Sequence, residues 1–196
     1  MKVKASPTQT ASGAGPSDAA LVLAARAGES WAQEALFRRH ARMVNGLAFR
    51  LMGRDQDVDD LVQESFLQAL GNLQRLENPQ AFGSWLGSIV VRTAHKVLRR
   101  RSMLNRLGIR STEPVEIDAT RGLSAPPDVA AELSRVYGSL ARMPADARVA
   151  LILHRVEGMS IPEVAEQMGI SASTVKRRLA LADRRLLPYA EPEVEA

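Results

Sequence analysis

Ser160-Ile161-Pro162-Glu163-Val164-Ala165-Glu166-Gln167-Met168-Gly169-Ile170-Ser171-Ala172-Ser173-Thr174-Val175-Lys176-Arg177-Arg178-Leu179 holds one complete helix and the start of another. Ser160 and Glu163, three residues apart, make a capping box, because each side chain can satisfy a backbone N–H that the first turn leaves free. Ile161, Val164, Ala165 and Met168 then fall on one face. Gly169 tolerates the positive φ of a tight turn, and Ser171 stands where it can cap a second helix whose inner face is Val175, Leu179, Ala182 and Leu186. A short helix, a glycine turn and a second helix form the helix-turn-helix plan, in which the second helix enters the DNA major groove. Ser173, Arg177, Ala180 and Arg184 share its outer face, with Lys176 and Arg178 flanking. Lysine or arginine there can reach guanine edges, while Ser171, Ser173, Thr174 and the remaining cations suit phosphates. A merely solvated face would also carry such charges; their place on the second helix of a capped pair favours DNA.

Upstream, residues 108–128 are irregular and acidic: Pro114, Pro126 and Pro127 stand with Glu113, Glu116, Asp118 and Asp128 against Arg110 and Arg121. They read as a flexible linker between two small helical domains, 18–107 and 129–190. Residues 1–17 lack large apolar side chains and are expected to be a disordered tail; residues 191–196 form an acidic, frayed end. The first domain reads as a bundle of three to four helices. A long amphipathic helix through Leu36, Val44, Leu47 and Leu51 stops at Gly53. The next begins near Gln56 and buries Val58, Leu61, Val62, Phe66, Ala69, Leu70 and Leu73. A third follows Pro79, with Phe82, Leu86, Ile89, Val90 and Val97 inward. No alternating β-branched run occurs, so the fold class is all-α.

Two opposed charge blocks mark that first domain. Asp55, Asp57, Asp59, Asp60 and Glu64 lie in a stretch without a basic residue. Early acids complement a helix dipole, which alone accounts for Asp57 and Asp59. The stripe of Asp60, Gln63, Glu64 and Leu67 adds an apolar member and suggests a docking surface. The other block is Arg92, Lys96, Arg99, Arg100, Arg101, Arg106 and Arg110, with no acid among them and with His95 and Trp85 beside it. Cations neutralise phosphate and an indole stacks on a base, so this run suits nucleic acid; partial burial is the plainer role for Trp85 by itself.

The 196 residues include 26 Lys plus Arg against 22 Asp plus Glu, a net charge of +4, so electrostatic function must come from clustering. There is no cysteine, and three scattered histidines lack metal-ligand spacing. No nucleophile-base pair or phosphate-cradling glycine loop is visible, so neither an enzyme nor a cofactor is expected. No apolar run approaches the ~20 residues of a membrane span, and no signal peptide is visible, so a cytoplasmic protein without membrane insertion is expected.

The order of parts resembles an extracytoplasmic-function (ECF) sigma factor of the sigma-70 family, over about residues 19–187. Asp60-Leu61-Val62-Gln63-Glu64-Ser65-Phe66 is similar to the family's core-binding helix. The resemblance implies that Asp60, Gln63, Glu64 and Leu67 meet a coiled coil of the RNA polymerase β′ subunit. Phe82 to Arg101, with Trp85-Leu86 and Arg99-Arg100-Arg101, resembles the segment that melts and reads the −10 element. That implies contacts from Trp85, Arg92, Lys96, Arg99, Arg100 and Arg101. Leu140 to Leu186 resembles the domain that reads the −35 element, implying contacts from Ser171, Ser173, Thr174, Lys176, Arg177, Arg178 and Arg184. Where the family commonly has Ile-Ala-x-Asn after Trp85-Leu86, this chain has Gly87-Ser88 before Ile89, then Val90, and Arg92 at the asparagine. The implied partners are core polymerase, promoter DNA and an anti-sigma protein. Two rival readings are a sigma-like adaptor that sequesters an anti-sigma protein and a stand-alone helix-turn-helix regulator.

Overall fold

The computed structural model describes residues 15–53, 55–108 and 127–190, and every regular element among them is helical. Helix α1 (Asp18–Arg26) starts at Ser17, whose hydroxyl accepts from the Ala20 N–H at 3.3 Å. Asp18 accepts from Arg39 at 2.7 Å and bonds His40 at 2.9 Å, both on α2 (Ser30–Met52). Arg39 also donates to the Pro16 carbonyl at 2.6 Å. The last residues of the expected tail are thus tied to α2, while residues 1–14 lie outside the described residues. Helix α2 ends at Gly53, as its sequence implies. Gly53 sits at φ 66° and donates to the Phe49 carbonyl at 2.7 Å, the left-handed cap that glycine adopts without a Cβ clash.

Helix α3 (Asp55–Gly71) buries Val58, Leu61, Val62, Phe66 and Ala69, and Leu73 is buried in the short 3-10 turn Leu73–Arg75 that follows. Leu70, expected inside, is half-exposed, because the packed stripe is narrower than the apolar pattern. A second 3-10 turn, Pro79–Ala81, is capped by Asn78 and leads into α4 (Phe82–Arg106). Phe82, Leu86, Ile89 and Val90 are buried there, and Val97 is partly buried. Helix α1 joins the three helices read from the sequence by burying Leu21 and Val22 fully.

The second module comprises α5 (Pro127–Arg142), α6 (Ala145–Leu151), α7 (Ile161–Met168) and α8 (Ala172–Ala190). Pro144 separates α5 from α6, since proline has no N–H to continue the ladder. Helix α6 runs on into a π turn, Ile152–Val156, closed by Glu157 N–H donating to the Ile152 carbonyl at 3.0 Å. Of the linker read at 108–128, residues 109–126 lie outside the described residues.

The two modules share one apolar core. It runs from Leu21 through Leu98 and on to Val149, Leu153, Val164, Val175 and Leu179, because α4 packs on α6 and α7 as well as on its own bundle. A smaller cluster of Leu140, Met143, Ala147, Leu151 and Ala182 lies beneath α8. Among the described residues no helix is long and apolar enough to cross a membrane.

Candidate partner and nucleic-acid interfaces

The acidic face is built on α3. Asp60, Gln63, Glu64 and Leu67 are all exposed, opposite the buried stripe, and Leu67 has 60% of its surface free. Of the four, Gln63 and Leu67 line an apolar groove together with Phe37, Val62, Phe66, Leu70 and Asp59. Phe37, from α2, packs against Phe66 with ring centroids 4.6 Å apart and the ring planes tilted by 55°, and remains 43% exposed. The sequence alone does not bring Phe37 here, because nothing in the α2 pattern tells which side of α3 it meets. An exposed aromatic and a leucine edged by carboxylates have the composition of a helix-docking groove: an apolar floor for affinity and acids for orientation.

Helix α4 carries the first basic face. Arg92, Lys96 and Arg99 project as one exposed stripe, with Arg100 exposed beside it. Arg101 differs from the expectation: its guanidinium turns back to an ion pair with Asp57 on α3. Successive helical residues are rotated by about 100°, so three consecutive arginines cannot all face outward, and the inward one needs a carboxylate. Trp85 is partly buried, its ring 6.1 Å from that of Phe82. His95 likewise has a protein partner, Asp146 of α6.

The second basic face belongs to α8. The capping box that opens α7 is complete: Ser160 N–H donates to Glu163 Oε2 at 2.7 Å, and Glu163 N–H donates to Ser160 Oγ at 3.4 Å. Hydrogen bonds from the Ser160 side chain and backbone hold the Glu163 carboxyl below the usual carboxylate range. Gly169 takes φ 63°, and Ile170 N–H closes the turn on the Ala165 carbonyl at 2.9 Å. Ser171 caps α8 by accepting from Thr174 N–H at 3.3 Å, and its hydroxyl also meets those of Ser173 and Thr174 at 3.0 and 2.9 Å. These hydroxyls gather at the helix N-terminus, where free N–H groups and the dipole favour an anion. Ser173, Lys176, Arg177 and Arg184 are exposed and Thr174 is half-buried. Arg184 donates back to the Ala180 carbonyl at 3.3 Å. Arg178, expected on this face, lies on its inner border and donates to Asp146 at 2.7 Å, with 19% of its side chain exposed.

Asp146 thus receives His95 from α4 and Arg178 from α8. Although burial opposes its ionisation, the hydrogen bond from His95 and the charges of Arg178, His95 and Arg99 bring its carboxyl below the usual range. Around it lie further contacts between modules. Arg50 makes a two-pronged ion pair with Glu157, its Nη2 at 3.0 Å. Ser88 donates to Gln167 at 2.8 Å. Tyr137 meets Phe49 edge to face at 5.9 Å and lies so close to Gly53 that a Cβ there would fall 2.5 Å from its ring. Burial against these groups raises the Tyr137 pKa, partly offset by Arg148 and Arg50. Sequence reading assigned no contact to Asp146, Glu157, Gln167 or Tyr137, because each has a partner in the other module.

Comparison with known proteins agrees with this arrangement of parts. The family model for sigma-70 region 2 matches residues 36–103, and that for sigma-70 region 4 matches residues 133–186. The ECF RNA polymerase sigma factor SigM of Mycobacterium tuberculosis is 34% identical over 170 residues, 87% of this chain and 83% of the relative. The ECF RNA polymerase sigma-E factor of Haemophilus influenzae is 31% identical, over 89% of this chain and 96% of its own. The chain is also similar to CnrH, solved in complex with the cytosolic domain of CnrY. That likeness has a TM-score of 0.57 and 25% identity over 89% of this chain and 99% of the other.

Proposed function

The chain belongs to the extracytoplasmic-function sigma factors of the sigma-70 family, and from that premise we propose how its three exposed surfaces divide the work of transcription initiation in the cytoplasm. The groove between Phe37 and Leu67, lined also by Gln63 and Asp59, docks the β′ coiled coil of core polymerase, with Asp60 and Glu64 exposed on the same helix. Arg92, Lys96, Arg99 and Arg100, with the partly buried Trp85, engage the −10 element and hold the opened strand. Ser171, Ser173, Thr174, Lys176, Arg177 and Arg184 meet the −35 element. Arg101 and Arg178 act as positioning residues, each neutralising a carboxylate inside the protein. Residues 18–107 and 129–190 are the units that carry these roles. The chain itself contributes no catalytic step, and melting draws on DNA contacts.

The observation that carries this reading is the separation of the three surfaces. An apolar groove with acidic edges and two exposed basic stripes occupy different helices, so one chain can hold a protein and two DNA segments together. Each contact alone is weak; joining them raises the effective concentration of the second site to roughly the millimolar range. An anti-sigma protein is the further partner that this reading implies.

The test is transcription with purified core polymerase on a promoter library. Specific start sites are expected only when the full chain is added. A core enzyme that gains no start site would overturn the assignment. Tight, specific duplex binding by the chain alone would instead favour a stand-alone regulator.

A further inference from the structure

We infer that helix α1 is a splint for the strand-binding end of α4, and that Arg26 and Asp18, at its two ends, are positioning residues for Trp85. The inference rests on the functional reading above. It concerns a helix that precedes the stretch matched by the family model, residues 36–103.

The connection from α3 to α4 consists of the turns Leu73–Arg75 and Pro79–Ala81, with Asn78 accepting from Gln80 N–H at 3.0 Å. Short turns of this kind belong to the low end of local stability unless something outside them holds their backbone. Helix α1 lies along both turns and the start of α4. At its C-terminal end Arg26 Nε donates to the Leu73 carbonyl at 3.1 Å and its Nη2 to the Leu76 carbonyl. Gln74 Nε2 donates back to the Arg26 carbonyl at 3.3 Å. One planar fork thus spans two carbonyls three residues apart, a geometry that a lysine ammonium on its flexible stem does not fix.

At the other end of α1 the tie passes through a ring. Asp18 Oδ2 meets His40 Nε2 at 2.9 Å, and the His40 side chain is only 13% exposed. His40 lies edge to face with Phe82, centroids 5.1 Å apart. Gly83 passes so close that a Cβ there would fall 3.1 Å from His40 Cε1. The first two residues of α4 are therefore pressed against a histidine that α1 orients. Trp85 in turn packs on Phe82, so contact runs from Asp18 through His40 and Phe82 to the indole. Leu21 and Val22 already anchor α1 by full burial. What the polar ties add is direction, since apolar packing alone leaves a helix freer to slide. A ring that must meet an unpaired base needs that direction, because a site loosened by about 1 Å loses its function.

The chain has two tryptophans, so Trp31→Phe leaves Trp85 as the single indole. In that background, acrylamide quenching of Trp85 in the free full chain should rise about twofold with Arg26→Ala, as local loosening requires. Helicity by circular dichroism should not change. Asp18→Asn should act in the same direction from the other end, and Arg26→Lys should give a smaller rise. Arg155→Ala breaks a pair with Asp183 inside the second module and should leave the quenching as it was. With core polymerase, on a promoter already opened across the −10 element, Arg26→Ala should weaken the complex about tenfold, the scale of one stacked base. Co-purification with core and discrimination at the −35 site should be unaffected. A purely structural role predicts parallel loss of all three and full rescue by Arg26→Lys. That pattern would overturn the proposal, as would unchanged quenching in Arg26→Ala and Asp18→Asn. Quenching reports on the free chain whether or not it directs transcription, so failure of the splint and failure of the functional reading are separate results.

Discussion

The two basic triplets, Arg99-Arg100-Arg101 on α4 and Lys176-Arg177-Arg178 on α8, are near copies in sequence and share a pattern in space. In each, the first two members are exposed and the third turns inward to an aspartate. They differ in what that aspartate does next. Asp57 sits on α3 and ties α4 to its own bundle. Asp146 also takes His95 from α4, so the inward arginine of the second triplet supports a contact between modules. In these two triplets, charge density along the sequence therefore overstates the exposed charge by one residue in three, and the excluded residue acts within the protein.

Predictions that test this contrast begin with the surface outside both triplets. The double variant Asp60→Lys with Glu64→Lys should lose core polymerase by about a hundredfold or more, since it places like charge where complementary charge is expected. Co-purification with core measures this, and circular dichroism should show unchanged helicity. Next, Arg177→Ala should remove about 1–3 kcal/mol of discrimination between −35 sequences. Arg178→Ala should leave discrimination intact while lowering the melting temperature. Competition binding against base-substituted sites separates the two, and equal losses of discrimination would erase the distinction.

On α4 the same contrast is smaller. Arg101→Ala should cost roughly 1–2 kcal/mol of folding stability, the scale of a charged hydrogen bond, in denaturant unfolding. Arg99→Ala should spare stability but reduce the salt dependence of strand binding by about 0.7 per lost contact. The smallest effect belongs to the cap: Ser160→Ala should cost about 1 kcal/mol. Because the Glu163 carboxyl is held low in the folded state, its contribution is present above the ordinary carboxylate pKa and fades as pH falls through the lowered value. Glu163→Gln should remove that part of the acid limb in thermal unfolding followed across pH.

What was legible in the sequence was local. The Ser160–Glu163 box, the Gly169 turn and the stop at Gly53 each depend on residues a few positions apart, and all are realised. The buried stripes of α3 and α4 followed from periodicity, with Leu70 and Val97 as the exceptions, because a narrow contact leaves the edge of an apolar stripe uncovered. The missing parts depend on distant segments: Phe37 on Phe66, Arg101 with Asp57, Asp146 with His95, Tyr137 against Gly53. Gly53 shows the limit well. Its role as a helix stop reads from one helix, whereas its second role, leaving room for a tyrosine more than eighty residues away, needs the packed fold.

The central claim is that two DNA-reading helices act on one promoter only in the company of the polymerase. Footprinting of a single promoter by the chain, by core enzyme and by their mixture tests it most directly. The account predicts that the mixture alone protects two segments about 25 base pairs apart, roughly 85 Å along the duplex. Protection of both segments by the chain without polymerase, or of only one by the mixture, would contradict it.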